Sequence, residues 1–219
     1  MKKRAIIISN GRIKNKKFYK NLIKKSDYVI CVNGGSKHAR TLNLIPNIII
    51  GDMDSLSKSD YQYFLKKGCK IKKYHPVKDK TDMQLAIEHA IKLGLKKILM
   101  LCVFGERLDH ILANIFLLIK ITKKGVKARI IDEFNEIFLV RKSGVVEGEI
   151  GETVSLIPLS LSVTGITTRG LEYRLENGML KIDDTLGVSN ILTKKRAMIK
   201  VGNGILLVVK SKYKHKRMI

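Results

Sequence analysis

The hydrophobic period of this chain changes once, near residue 133, and that change limits the folds open to it more than any other feature. Before it, short apolar runs alternate with helical patterns. Strands are predicted over 4–9, 28–32, 48–50, 70–74, 97–103 and 127–131. The clearest helices are predicted over 82–93 and 108–123, with a shorter one at 59–67 capped by Ser57. Several strands are apolar at nearly every position, as expected of a parallel sheet covered by helices on both faces. After residue 133, short β-rich pieces follow one another: "EIFLVR", "TVSLIPL", "SVTGITT", "LEYRLENGML", "AMIKV" and "GILLVVK". "ENG" and "GNG" supply turn residues that tolerate positive φ. The expected architecture is therefore α/β plus β. A parallel-sheet α/β domain with helices on both faces spans 1–133, and an antiparallel β-sandwich spans 134–219.

Charge narrows the classes of partner. Lys plus Arg number 43 against 19 Asp plus Glu, a net charge of +24. Such an excess points to a phosphorylated small molecule, nucleic acid or an anionic membrane. The lysines are dispersed, however, and only the tail "KSKYKHKRMI" concentrates them, which reads as a solvated surface. With 6% aromatic residues and no tryptophan, little material exists for stacking bases, so nucleic acid is not the expected main partner. Cys31, Cys69 and Cys102 lack metal-ligand spacing and lie in or beside apolar runs, where thiols act as small hydrophobes. That suits a reducing cytoplasm. "MKKR" resembles the start of a signal peptide, but the "AIII" after it is too short, and no segment approaches a membrane span. A soluble, cytoplasmic protein is expected.

Three junctions between strand and helix carry residues suited to chemistry. In "IIIGDMDSL", residues 48–56, Asp52 and Asp54 follow an apolar strand, where ligands of open parallel sheets bind. In an extended segment both carboxylates share a face. Two anions held together need a cation, and hard oxygen ligands suit Mg²⁺. The plainer alternative is a turn followed by a helix cap. In "KDKTDMQLAIEHA", residues 78–90, Thr81 and Gln84 form a capping box and Asp82 sits in the first helical turn. Asp82 either serves only the helix or adds a third carboxylate to the same metal centre. In "FGERLDHILANI", residues 104–115, Arg107 offers a planar fork for phosphate, and Asp109 an acceptor for a proton or a substrate cation. The alternative is a surface ion pair of Arg107 and Asp109, with Asp109 capping the helix. "NGG", Asn33–Gly34–Gly35, offers backbone N–H groups to a phosphate or nucleoside.

Taken in order with "SLIPLS", "TTRGLEYRLENGML" and "GVSN", these motifs resemble the thiamine pyrophosphokinase family over roughly residues 33–209. The resemblance implies a transferase that moves a pyrophosphoryl group from ATP to the hydroxyl of thiamine, giving thiamine diphosphate and AMP. It implies Mg²⁺ held by Asp52, Asp54 and Asp82, and ATP bound near Asn33, Gly34, Gly35, Lys78, Thr81 and Arg107. Asp109 matches an active-site aspartate placed near the thiamine, with Thr167, Tyr173, Ser189 and Asn190 lining the thiamine pocket of the sandwich. A homodimer is also implied, with thiamine bound where one subunit's sandwich meets the other's α/β domain. Two other classes fit parts of the sequence. A haloacid-dehalogenase-type phosphatase would use Asp52 as nucleophile, and a nucleic-acid-binding protein would use the basic tail.

Overall fold

The computed structural model describes residues 4–214. The chain divides into two compact units, Met1–Glu133 and Phe134–Ile219.

In the first unit the order is β1 (Arg4–Ile8), α1 (Lys16–Leu22), β2 (Tyr28–Val32), α2 (Gly35–Thr41), β3 (Ile48–Gly51), α3 (Lys58–Lys66), β4 (Lys70–Lys73), α4 (Asp82–Lys92), β5 (Lys97–Leu101), α5 (Leu108–Lys123) and β6 (Lys127–Ile131). The strands lie side by side as β6-β5-β1-β2-β3-β4, every pair parallel. Alternation in the strands feeds two cores. Ile6 and Ile8 of β1 cluster with Tyr19, Ala39 and Phe64, the buried residues of α1, α2 and α3. The intervening Ala5 and Ile7 are also fully buried, and their side chains point to the opposite face. There α4 packs on β1, β2 and β3, and α5 on β6. Helices thus cover both faces, which is why runs such as "RAIII" and "YVICV" show no polar side.

Local chemistry sets the helix starts. Asn15, Ser57 and Thr81 each accept a hydrogen bond from a backbone N–H three residues on. The expected capping box at α4 is only half formed. Thr81 Oγ1 accepts from Gln84 N–H, but the Gln84 side chain donates to Glu88 instead of returning to Thr81. Glu88 also accepts from Lys120 of α5 at 2.6 Å and from Lys80 at 2.9 Å. These donors, the Lys120 ammonium foremost, lower the Glu88 carboxyl from 4.5 to about 2. A depressed carboxylate pKa stabilises the fold above its unfolded value, and that gain disappears as pH falls through the folded value. Glu88 is 30% exposed, so solvent screening limits the gain to about 1 kcal/mol. Glu88→Gln should therefore lose about 1 kcal/mol in urea unfolding at neutral pH. The gap from wild type should close as pH falls from 4.5 towards 2; a gap that does not change with pH would contradict this.

In the second unit follow β7 (Asn135–Val140), β8 (Ser143–Glu147), β9 (Glu152–Pro158), β10 (Ser162–Arg169), β11 (Gly178–Lys181), β12 (Asn190–Ile191), β13 (Arg196–Lys200) and β14 (Leu206–Lys214). They form two antiparallel layers, β12-β9-β14-β7 and β11-β10-β13-β8. Val154, Leu156, Leu206 and Val208 of the first layer share one core with Val163, Ile166, Ala197 and Ile199 of the second. This is the expected sandwich. The start of the basic tail belongs to it: Lys210 lies in β14 and faces Glu136 and Glu152 at 3.5 and 3.6 Å. The rest of the tail, residues 215–219, lies outside the described residues.

Candidate active site

Because β1 to β6 are all parallel, their carboxyl ends meet one edge of the sheet. The chain passes from β1 to β2 on one side and returns through β5 on the other, which makes the β1/β5 border the topological switch point where such sheets bind ligands. Three non-glycine residues adopt positive φ at this edge: Asn33 (47°), Met53 (69°) and Cys102 (55°), directly after β2, β3 and β5. Left-handed backbone costs such residues about 1–3 kcal/mol, and it collects where function requires it.

Asn33 is the organising residue. Its Nδ2 donates to Asp52 Oδ1 at 2.8 Å and to Asp54 Oδ1 at 2.9 Å, so one amide gathers both carboxylates. The extended geometry expected for this pair is not what brings them together. Met53 turns the chain at positive φ, Asp54 N–H donates back to Asp52 Oδ1 at 3.2 Å, and the Met53 side chain packs on the core. An Asp side chain bonding the backbone two residues on is a recurrent turn, and it closes the chain around Met53. Partial burial pushes the Asp52 carboxyl up, but the Asp54 N–H, the Asn33 amide and the Lys78 charge outweigh it and hold Asp52 below the ordinary value. Asn33 Oδ1 is buried and has no hydrogen-bond partner.

Asp82, at the start of α4, stands with Lys78, whose Nζ is 3.0 Å from Asp82 Oδ1. Among the described residues, no three Asp, Glu, His or Cys side chains already stand as a metal-holding group. The expected three-carboxylate centre is thus not preassembled. Asp52 and Asp54 converge on Asn33, and Asp82 is engaged by an ammonium. Arg107 and Asp109 form the other half of the edge. The guanidinium grips Asp109 through both Nε (3.2 Å) and Nη2 (2.5 Å), and this ion pair lowers the Asp109 carboxyl to about 2. Arg107 itself is the cap position of α5, so Asp109 does not cap it. β5 lies three strands from β3, about 14 Å by strand spacing, and the ion pair joins Arg107 to Asp109 rather than to Asp52 or Asp54.

The loop after β1 was not singled out by its sequence, yet it lies on the switch point. Gly11 N–H donates to Cys102 O at 2.7 Å and Arg12 N–H to Phe104 O at 3.0 Å, while His38 Nε2–H donates to Gly11 O at 2.6 Å. A Cβ on Gly11 would lie 2.5 Å from the Cys102 carbonyl oxygen, so only glycine fits. The signal was "SNG" after a buried strand, a turn dipeptide at the place where such sheets bind ligands. Gly34 faces the Asn10 side chain, and Gly35 abuts β1.

In the sandwich unit, Asn190 and Tyr173 are tied together. Asn190 Oδ1 accepts from Tyr173 N–H, and Nδ2 donates to Tyr173 O at 2.7 Å. Asn190 is buried and its amide is spent on this backbone, whereas the Tyr173 ring is 65% exposed. Ser189, at φ 62°, donates its N–H to Ser155 Oγ, and Thr167 Oγ1 accepts from Asn177 N–H.

Comparison with known proteins agrees over both units. The profile of the thiamin pyrophosphokinase catalytic domain matches residues 19–130, and that of the thiamin pyrophosphokinase vitamin B1 binding domain matches residues 142–206. The thiamine pyrophosphokinase of Bacillus subtilis is 31% identical over 184 residues, covering 83% of this chain and 86% of that relative. Its crystal structure superposes with a TM-score of 0.87 at 27% identity, covering 96% of this chain and all of that one. A thiamin pyrophosphokinase structure from Geobacillus thermodenitrificans gives 0.83 at 25% identity, covering 96% and 98%. These matches take in the downstream motifs that a phosphatase or a nucleic-acid-binding protein would leave unexplained. With a profile matched across most of each unit and a relative above 30% identity over most of its length, this chain belongs to the thiamin pyrophosphokinase family.

Proposed function

We propose that the protein transfers the pyrophosphoryl group of ATP to the hydroxyl of thiamine, releasing AMP. A bond forms between the thiamine oxygen and the β-phosphorus, and the bond from that phosphorus to the α-phosphate oxygen breaks. The hydroxyl proton passes to a carboxylate or to water. Beyond family membership, the observation that carries this reading is the single Asn33 amide gathering Asp52 and Asp54 at the sheet edge. Such a transfer asks for alignment and charge neutralisation more than for covalent help.

Hard oxygen donors fit Mg²⁺. Asn33 Oδ1 is buried without a hydrogen-bond partner, as an oxygen reserved for a ligand would be, and Asp82 Oδ1 meets only the Lys78 charge. Asp52, Asp54 and Asp82 would hold the ion, which when bound supplies positive charge against the triphosphate. Asn33 fixes the two strand-end carboxylates. Gly34, Gly35, Lys78 and Thr81 border the nucleotide, and Arg107, released from Asp109, offers its planar fork to phosphate. Asp109 would then face the thiazolium cation. Tyr173 presents an exposed ring held in place by Asn190, suited to the flat aminopyrimidine, with Thr167 and Ser189 as polar neighbours.

Dimerisation with the thiamine site between subunits is part of the same reading. Leu161, Ile182, Leu186 and Val188 leave apolar side chains exposed on the sandwich, suited to burial against a second copy. No helix among the described residues is long and apolar enough to cross a membrane. The thiols of Cys31, Cys69 and Cys102 are free and buried, which fits a reducing cytoplasm.

Purified protein incubated with thiamine, ATP and Mg²⁺ should yield AMP and thiamine diphosphate in equal amounts; ADP or free phosphate in their place overturns the reaction. Tyr173→Ala should raise the thiamine KM about tenfold with little change in kcat, as loss of one stacking face predicts. An effect confined to the KM for ATP would misplace that ring.

A further inference from the structure

Lys78 does something in the ligand-free chain that its place beside the nucleotide does not require. Its Nζ lies 3.0 Å from Asp82 Oδ1, with both side chains largely shielded, at 18% and 15% exposure. The same ammonium donates to the His75 carbonyl at 3.1 Å and adds to the charge that holds Asp52 down. The oxygen it faces is the Asp82 Oδ1 that has no hydrogen bond, so the contact is charge against charge without a directed bond. A positive group already sits on Asp82, and its charge is also felt at Asp52.

We propose that Lys78 is a resident counter-cation of the carboxylate cluster, and that a divalent ion must displace it before Asp52, Asp54 and Asp82 can act together. The inference rests on the reading of those residues as holders of a divalent ion. Two cations cannot both sit within a few ångströms of the Asp82 carboxylate without strong repulsion. A lysine can leave, because its four-carbon stem is flexible and its ammonium is a point charge rather than a fixed fork. The missing preassembled centre follows directly: while the ammonium is in place, Asp82 is neutralised without being drawn towards Asp52 and Asp54. Lys78 thereby sets how strongly the enzyme holds metal before any nucleotide arrives, and it guards the like-charged cluster when no metal is present.

The test is metal binding without turnover. Mn²⁺, an oxygen-seeking stand-in for Mg²⁺, is titrated into the full chain without nucleotide, and the free ion is read by its paramagnetic resonance signal. Lys78→Met should bind Mn²⁺ about tenfold more tightly than wild type, since a competing charge has gone. Lys80→Met removes the same charge from a lysine paired with Glu88, and should stay within about twofold of wild type, which separates a local effect from net charge. Lys78→Gln, which keeps a polar side chain, should also tighten binding and serves if the methionine variant does not fold. Equal affinity in wild type and both Lys78 variants overturns the counter-cation while leaving the metal reading intact. If none of these proteins binds Mn²⁺, the metal reading fails and the inference with it.

Discussion

Asp52→Ala is expected to reduce formation of thiamine diphosphate about a thousandfold, equivalent to about 4 kcal/mol of transition-state stabilisation. Its unfolding temperature should stay within about 2 °C of wild type, since surface substitutions have small effects on stability. The two halves of this expectation have separate causes. Asp52 accepts from both the Asn33 amide and the Asp54 N–H, so its removal takes away one carboxylate of the pair and one of the contacts that position the other. Little of the Asp52 side chain is in the core, however, and removing one of two neighbouring anions relieves repulsion, offsetting the lost hydrogen bonds. Asp52→Asn keeps the shape and loses the charge, and should be nearly as inactive. Steady-state release of AMP together with thermal unfolding distinguishes the outcomes. An Asp52→Ala protein retaining more than about a tenth of wild-type turnover would remove this residue from the catalytic centre.

Gly35→Ala should act in the opposite way, through the fold. A Cβ at this position would lie 2.1 Å from the carbonyl oxygen of Ile8 and 2.9 Å from its carbon. Both belong to the backbone at the end of β1, so no side chain can swing aside; either α2 lifts or β1 shifts out of register with β2 and β5. Overpacking of this kind costs about 3 kcal/mol. In a chain of this size that corresponds to a fall of about 6–12 °C in unfolding temperature. Calorimetry reads the shift directly. A variant melting within about 1 °C of wild type would mean that α2 tolerates the methyl group and is not tightly seated on β1.

The parallel sheet was legible because its central strands β1, β2, β3 and β5 are buried on both faces and say so at nearly every position. "RAIII", "YVICV" and "KILML" admit few other readings. Helical patterns were expected between the strands, but α1 and α2 could not be given bounds. Each is seven residues long and α1 has one buried side chain, Tyr19, so neither offers the repeated apolar spacing by which a helix is recognised. Strand ends were overestimated for one reason. β1 stops at Ile8 because Ser9 and Gly11 turn to hydrogen-bond with Leu101 and Cys102, and β5 stops at Leu101 because Cys102 goes left-handed. Apolar composition continues past both points, but the backbone leaves the ladder there.

The site was legible as a set of residue types and not as an arrangement. Acidic residues at strand ends, an arginine before a helix and the order of the motifs are properties of the string, and they sufficed to indicate phosphate chemistry and the family. Which groups touch is settled by distances between segments far apart in sequence. Asn33 reaches over to Asp52 and Asp54, 19 and 21 residues away, because β2 and β3 are neighbours in register. The amino-acid order determined two layered units, their division after residue 133 and the strand ends that carry the acidic residues, since burial period is written into each segment. Only tertiary structure decided that one amide would bind two carboxylates and that Lys78 would occupy Asp82. Hydrogen bonds and charge contacts depend on ångström placement that local periodicity does not encode.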